Sequence, residues 1–180
     1  MRHKYETRGI VLARSPVGEA SAFVILLTPE LGLVRVLAQS VRKPSAKLAA
    51  ALATFAESSI VLVRGREGWR LAGAVLAGNW FSKLRTTDAR RRAARVSGLL
   101  LRLVAGETHD AALFPIMRGL FSALAELPET THEAAEILAG LRILGALGLD
   151  VGDIPGEVSA FTPSLLALVK KDRANYIARV

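Results

Sequence analysis

Residues 22–52 read AFVILLTPELGLVRVLAQSVRKPSAKLAAAL, and the order of patterns in this stretch decides the fold. Ala22 to Leu27 is a near-continuous apolar run, as a buried strand requires. Thr28-Pro29-Glu30-Leu31-Gly32 turns the chain. Leu33 to Ser40 then alternates, with Val34, Val36 and Ala38 on one face and Arg35 on the other. Pro44-Ser45 opens a helix: Ser45 is a good N-cap, and Ala46 to Leu52 is rich in strong helix formers.

Working outward, Tyr5 to Ala13 reads as a first strand around Gly9, and Pro16-Val17-Gly18-Glu19 is a turn signal. Ser59 to Arg64 and Trp69 to Val75 form a last pair of strands, joined by the short loop Gly65-Arg66-Glu67-Gly68. The order is three strands, one short helix, two strands. That order predicts a five-stranded OB-type barrel, a fold that binds oligonucleotides on its strand 2–3 face and through its 1–2 and 4–5 loops. A small SH3-like barrel is the rival, although a two-turn helix is out of place in it.

Near Gly78 the grammar changes, and the predicted fold class is α+β: an OB-fold nucleic-acid-binding domain over 1–78 and an all-helical, partner-binding domain over 79–180. Asp88 opens a long helix with Ala93, Val96, Ser97, Leu100 and Val104 inward and Arg91, Arg95, Gly98 and Arg102 opposite, ended by Gly106. Ala111 to Leu127 is a second helix, with Leu113, Ile116, Met117, Leu120 and Leu124 inward, stopped by Pro128. Thr130 and Glu133 have the spacing of a capping box for a third, which runs to about Leu147 with Gly148 as its C′ residue. Ser164 to Arg179 reads as a fourth, still helical where the sequence stops, as expected of a truncated or frayed C-terminus. A hinge is expected within Gly78 to Lys83.

Of 180 residues, 51% are hydrophobic and 22% charged, an ordinary globular balance. There is no cysteine, which removes disulfides, thiolate zinc sites and cysteine nucleophiles and fits a reducing cytoplasm. The longest charge-free stretches, Leu71 to Ser82 and Val158 to Val169, are twelve residues each, too short for a bilayer span, and no leader is visible; a soluble, cytoplasmic protein is expected, without membrane contact. The net charge of +8 points to an anionic partner. Residues 1–78 carry 11 Lys/Arg and 5 Asp/Glu, a net of +6; residues 79–180 carry 13 and 11, a net of +2. The anion-binding surface is therefore expected on the first half.

No phosphate-loop, dinucleotide or nucleophile-elbow motif occurs. His132 and Glu136 are four apart, but the second His of a zinc-protease pattern is missing, and a helix first turn carrying acidic residues is the simpler reading. The five carboxylates of the first half form no close pair in sequence. No enzymatic activity, metal or cofactor is expected.

The cationic set comprises Arg35 beside the third strand, Arg42 and Lys43 just after it, Lys47 in the helix first turn, Arg64 and Arg66 around the last hairpin, and Arg70 opening the fifth strand. If these converge, they neutralise phosphates and release counterions, giving affinity without sequence choice. Aromatic complement is thin. Phe23 and Phe55 lie in apolar runs and are expected in the core; Tyr5 and Trp69 are open between core and surface platform. The helix face Arg91, Arg95 and Arg102 would extend the path. The competing reading is a protein-interaction module whose basic face binds acidic peptides or subunits.

Gly9-Ile10-Val11-Leu12, Gly18-Glu19-Ala20-Ser21 and the run from Leu26 to Leu52, above all the turn Thr28 to Gly32 followed by Val41 to Leu48, resemble the N-terminal domain of the RecO family of bacterial recombination-mediator DNA repair proteins. Leu141-Arg142-Ile143-Leu144 to Gly148 looks like the family's late helix. The resemblance implies an OB-fold followed by helices, binding of single- and double-stranded DNA, strand annealing, and recombinase loading on DNA coated by the single-stranded-DNA-binding protein (SSB). It implies RecR and the acidic C-terminal tail of SSB as partners, and a nucleoid-associated location. By position, the family's DNA-contacting residues fall on Arg35, Arg42, Lys43 and Lys47, and Arg118 and Arg142 are the candidates for the rim of the tail pocket. The four-cysteine zinc module that some members of the family carry has no counterpart here, and the chain is shorter than typical members.

Overall fold

A computed structural model describes residues 4–39, 46–104, 107 and 110–180, with the side chains of 46 and 47 outside the description. Five strands, β1 (Lys4–Val17), β2 (Ser21–Thr28), β3 (Gly32–Ala38), β4 (Ala56–Gly65) and β5 (Gly68–Asn79), form a closed barrel in the order β1-β2-β3-β5-β4, with helix α1 (Ala46–Ala51) between β3 and β4. This is the OB-fold topology. All pairings are antiparallel except β3 with β5, where Val36 lies opposite Trp69 and Leu37 opposite Arg70. Those two parallel rungs close the barrel. The long strands bend around it where one of a pair carries an extra residue, Leu12 in β1 against β2, and Ala72 and Ala77 in β5 against β4.

Alternation fills the interior. Val24 and Leu26 from β2, Val34 and Val36 from β3, Ile60 and Leu62 from β4 and Trp69 from β5 point inward, and Leu52 after α1 joins them. The β2–β3 turn is held by Thr28, whose hydroxyl donates to Gly32 O (3.1 Å) and accepts from Leu31 N (3.0 Å), while Gly32 takes the left-handed conformation at φ 64°. The barrel base is tied by Phe55. Its N–H donates to Val11 O (2.8 Å), and its carbonyl accepts from Trp80 N (3.0 Å). This fixes a φ of +64° that an aromatic residue rarely adopts. Beside it, buried Trp80 donates through Nε1 to the buried Glu57 carboxylate (2.9 Å).

Pro16 and Val17, expected in a turn, still belong to β1; the turn falls on Gly18, where φ is +57°. The 65–68 loop is a two-residue hairpin, with Gly65 paired to Gly68.

The chain divides into two compact units: Met1–Phe81 with Gly106–Ala111, and Ser82–Ala105 with Ala112–Val180. A short helix α2 (Trp80–Lys83) follows β5. In the second unit, α3 (Thr87–Leu103), α4 (Leu113–Glu126), α5 (His132–Ala146), α6 (Pro163–Lys171) and α7 (Arg173–Ile177) pack around α5. Helix α5 is buried without interruption from Ala134 to Ile143 except at Glu136, as a central helix should be. It ends in a Schellman motif: Gly148 (φ +69°) donates to Gly145 O (3.0 Å) and Leu149 to Leu144 O (2.8 Å).

Two expectations fail locally. The Thr130–Glu133 capping box does not form, because residues 129–131 make a 3₁₀ turn whose Thr131 hydroxyl donates back to Pro128 O (2.7 Å). The single fourth helix is two, broken at Asp172 (φ −107°, ψ 30°).

Candidate functional site

Because Val24 and Val36 point inward, their neighbours Phe23, Arg35 and Leu37 must point outward. Phe23 lies opposite Leu37, and Leu37 opposite Arg70, so one row of outward side chains crosses β2, β3 and β5. Arg35 is diagonal to Phe23, and its guanidinium lies 3.7 Å from the ring centroid. Phe23, Arg35, Leu37, Trp69 and Arg70 line one groove of about 370 Å³.

Phe23 is not in the core as expected: its side chain is half-buried on the outer face, whereas Ala22 and Val24 on either side are buried. Phe55 is in the interior. Trp69 is buried yet reaches the groove wall, with Tyr5 edge-on to it (5.0 Å between centroids) and Arg64 over its face (4.9 Å).

Arg35, Arg64 and Arg70 come from three different strands, and two of them line the groove while the third covers its Trp69 wall. Arg66 is exposed in the hairpin loop. Arg42 and Lys43 lie outside the described residues, and of Lys47 only the helical backbone is described. Two carboxylates share the groove with these cations. Glu67 lies 3.9 Å from Arg70, and Glu107 accepts from one Arg64 nitrogen through both oxygens (2.8 and 3.0 Å). No sequence signal marks Glu107, which is 43 residues from Arg64.

In the helical unit, Arg118 is exposed on α4. Arg142 is buried, and it lines an apolar pocket of about 200 Å³ with Ile116, Ile154 and Val158. It is 4% exposed, donates to Val158 O (3.0 Å), Ala160 O (2.7 Å) and Pro155 O (3.1 Å), and lies 4.8 Å from the Phe161 ring. Burial lowers its pKa to about 10. The guanidinium is thereby committed to holding the 155–160 segment against α5. An apolar groove of about 350 Å³ lies elsewhere, floored by Val96, Leu99 and Ile137 and edged by Arg95 and Arg102. Arg95 is already engaged: Glu136 accepts from its Nε (2.5 Å) and Nη2 (2.8 Å), and from Arg92 as well (2.6 Å). His132 is buried with Nε2 3.0 Å from Leu127 O, whereas Glu136 lines that groove with its carboxylate bonded to Arg92 and Arg95. No helix among the described residues is long and apolar enough to cross a membrane.

A closed β1-β2-β3-β5-β4 barrel with arginines over its third, fourth and fifth strands, joined to a helical unit, defines an OB-fold protein with a cationic barrel face. The family model described as Recombination protein O N terminal matches residues 1–78. Proteins described as DNA repair protein RecO are similar over more of the chain. The one from Dehalococcoides mccartyi strain 195 is 32% identical over 130 residues, 72% of this chain and 50% of that protein. That of Roseiflexus sp. is 35% identical over 147 residues, 80% and 50%. That of Rubrobacter xylanophilus is 28% identical over 177 residues, 93% and 71%. The chain belongs to the RecO family of DNA repair proteins. It spans about half the length of the first two of these relatives.

Proposed function

We propose that the chain is a non-enzymatic DNA-binding recombination mediator whose barrel groove holds single-stranded DNA. The observation that carries this is the gathering of Arg35 and Arg70 with Phe23 and Trp69 in one groove, with Arg64 on its wall. Guanidinium groups bind phosphates whatever the base sequence, so such a groove suits a protein that acts on strands of any sequence. Annealing of complementary strands and recombinase loading with RecR on SSB-coated DNA are the activities this binding serves. The acidic SSB tail fits an apolar groove with a basic edge, the chemistry of the Val96–Ile137 groove beside Arg102.

The test is a salt titration of oligonucleotide binding. The log–log slope falls by roughly 0.7 for each single-strand phosphate that the protein no longer neutralises. Replacing Arg35, Arg64 and Arg70 together by Ala should lower it by about 2. An unchanged slope removes these residues from the interface. Annealing of strands precoated with SSB, with and without its acidic tail, tests the partner reading. A second reading, that the basic face receives acidic peptides or subunits, is favoured by Glu107, a carboxylate already seated on Arg64. It requires that an acidic peptide bind and that heparin fail to displace it.

A further inference from the structure

Phe23 is out of place as a structural residue. It stands on the outer face of β2, outside the barrel core, yet is only half-buried. On its ring lies one planar cation, the Arg35 guanidinium at 3.7 Å, inside a groove lined by a second arginine. That spacing is the thickness of an aromatic stack, so the ring face accepts a flat π-system, and the group now on it hangs from an exposed, flexible side chain. The groove's other residues, Leu37 and Trp69, give the same ring an apolar surround.

We infer that Phe23 is a stacking platform for an unpaired nucleobase and Arg35 its displaceable cover. When a base arrives, the guanidinium leaves the ring for the adjoining phosphate, so a cation–π contact is exchanged for a base stack plus an ion pair. Bases in a duplex have both faces occupied by their neighbours, so the platform discriminates for single strands, which phosphate contacts alone do not. This inference rests on the DNA reading of the groove and names the feature that decides which DNA enters it. The alternative, that Phe23 and Arg35 merely pack across β2 and β3, predicts that replacing Phe23 leaves any dependence on bases unchanged.

The experiment measures anisotropy of the full chain with a labelled oligo(dT) and with an abasic oligonucleotide of equal length, hence equal phosphate number. The wild-type chain is expected to bind oligo(dT) about ten-fold more tightly than the abasic strand. Phe23→Leu should erase that ratio without changing the salt slope, and Phe23→Trp should restore it. Arg35→Gln should lower the slope by about 0.7 on both strands. A ratio unchanged in Phe23→Leu, or equal wild-type affinity for the two strands, overturns the inference while leaving the groove as a DNA site. Failure of the wild type to bind either strand overturns the groove reading itself. Should Phe23→Leu not fold, photo-crosslinking of the wild-type chain to an oligonucleotide carrying 5-iodouracil decides: a crosslink at Phe23 supports the inference, and crosslinks only at other residues overturn it.

Discussion

Arginines in this chain are of two kinds, and their neighbours decide which. Arg142 is given over to structure: three backbone carbonyls and one aromatic ring hold its head, and no carboxylate among its hydrogen-bond partners balances its charge. Arg142→Met is expected to destabilise the helical unit by about 2–4 kcal/mol, because three carbonyls lose their donor, and Arg142→Lys should recover little, since an ammonium cannot span the same fork. Urea unfolding followed by circular dichroism measures both. Arg64 is the opposite case, with an exposed head held over Trp69 by Glu107. A DNA phosphate at Arg64 must displace that carboxylate. Glu107→Gln is therefore expected to tighten oligonucleotide binding about two- to five-fold at low salt, and to do nothing when Arg64 is already Ala. Equal effects in both backgrounds would reduce Glu107 to a general contribution to net charge.

Elements are readable in the sequence wherever one face meets the core. The alternation Val34-Arg35-Val36 places Arg35 outward, and the loop between two β-runs places the 65–68 hairpin. Phe23 escapes that logic for a specific reason: Ala22 to Leu27 is apolar on both faces, so period two leaves no mark, and the outer face is covered by an arginine from another strand. The break at Asp172 is hidden because no Gly or Pro marks it. The pairing of Arg64 with Glu107 follows from chain return, which one-dimensional spacing does not contain. Close approach of elements also overrides propensity at Gly119. Alanine gains about 1 kcal/mol over glycine inside a helix such as α4. A Cβ there, however, would lie 2.7 Å from Ser159 O and 2.8 Å from the Phe161 ring. Gly119→Ala is expected to lose about 1–3 kcal/mol net, read from the urea midpoint; a gain would mean the 159–161 segment yields freely.

At the scale of the whole molecule, each unit has its own interior, and the helical one depends on ion pairs at its surface. Asp88 is held below the usual carboxylate range by its hydrogen bond from Arg92, Glu133 by that from Arg173, and Asp150 by that from Arg179. Each contribution is complete above the ordinary values of 3.8 for Asp and 4.5 for Glu and is lost as pH falls through the lowered folded values. Helical stability should therefore drop on acidification, and Arg173→Ala should shallow that drop; an identical pH profile would show the α7 pair to be idle. The first unit, for its part, holds both tryptophans of the sequence, one with a cation on its face and the other hydrogen-bonded to a carboxylate. Indole emission is sensitive to the charges around it, so the chain carries a built-in optical gauge: whatever draws Arg64 off Trp69 will announce its arrival as a change in colour or brightness, with no label attached.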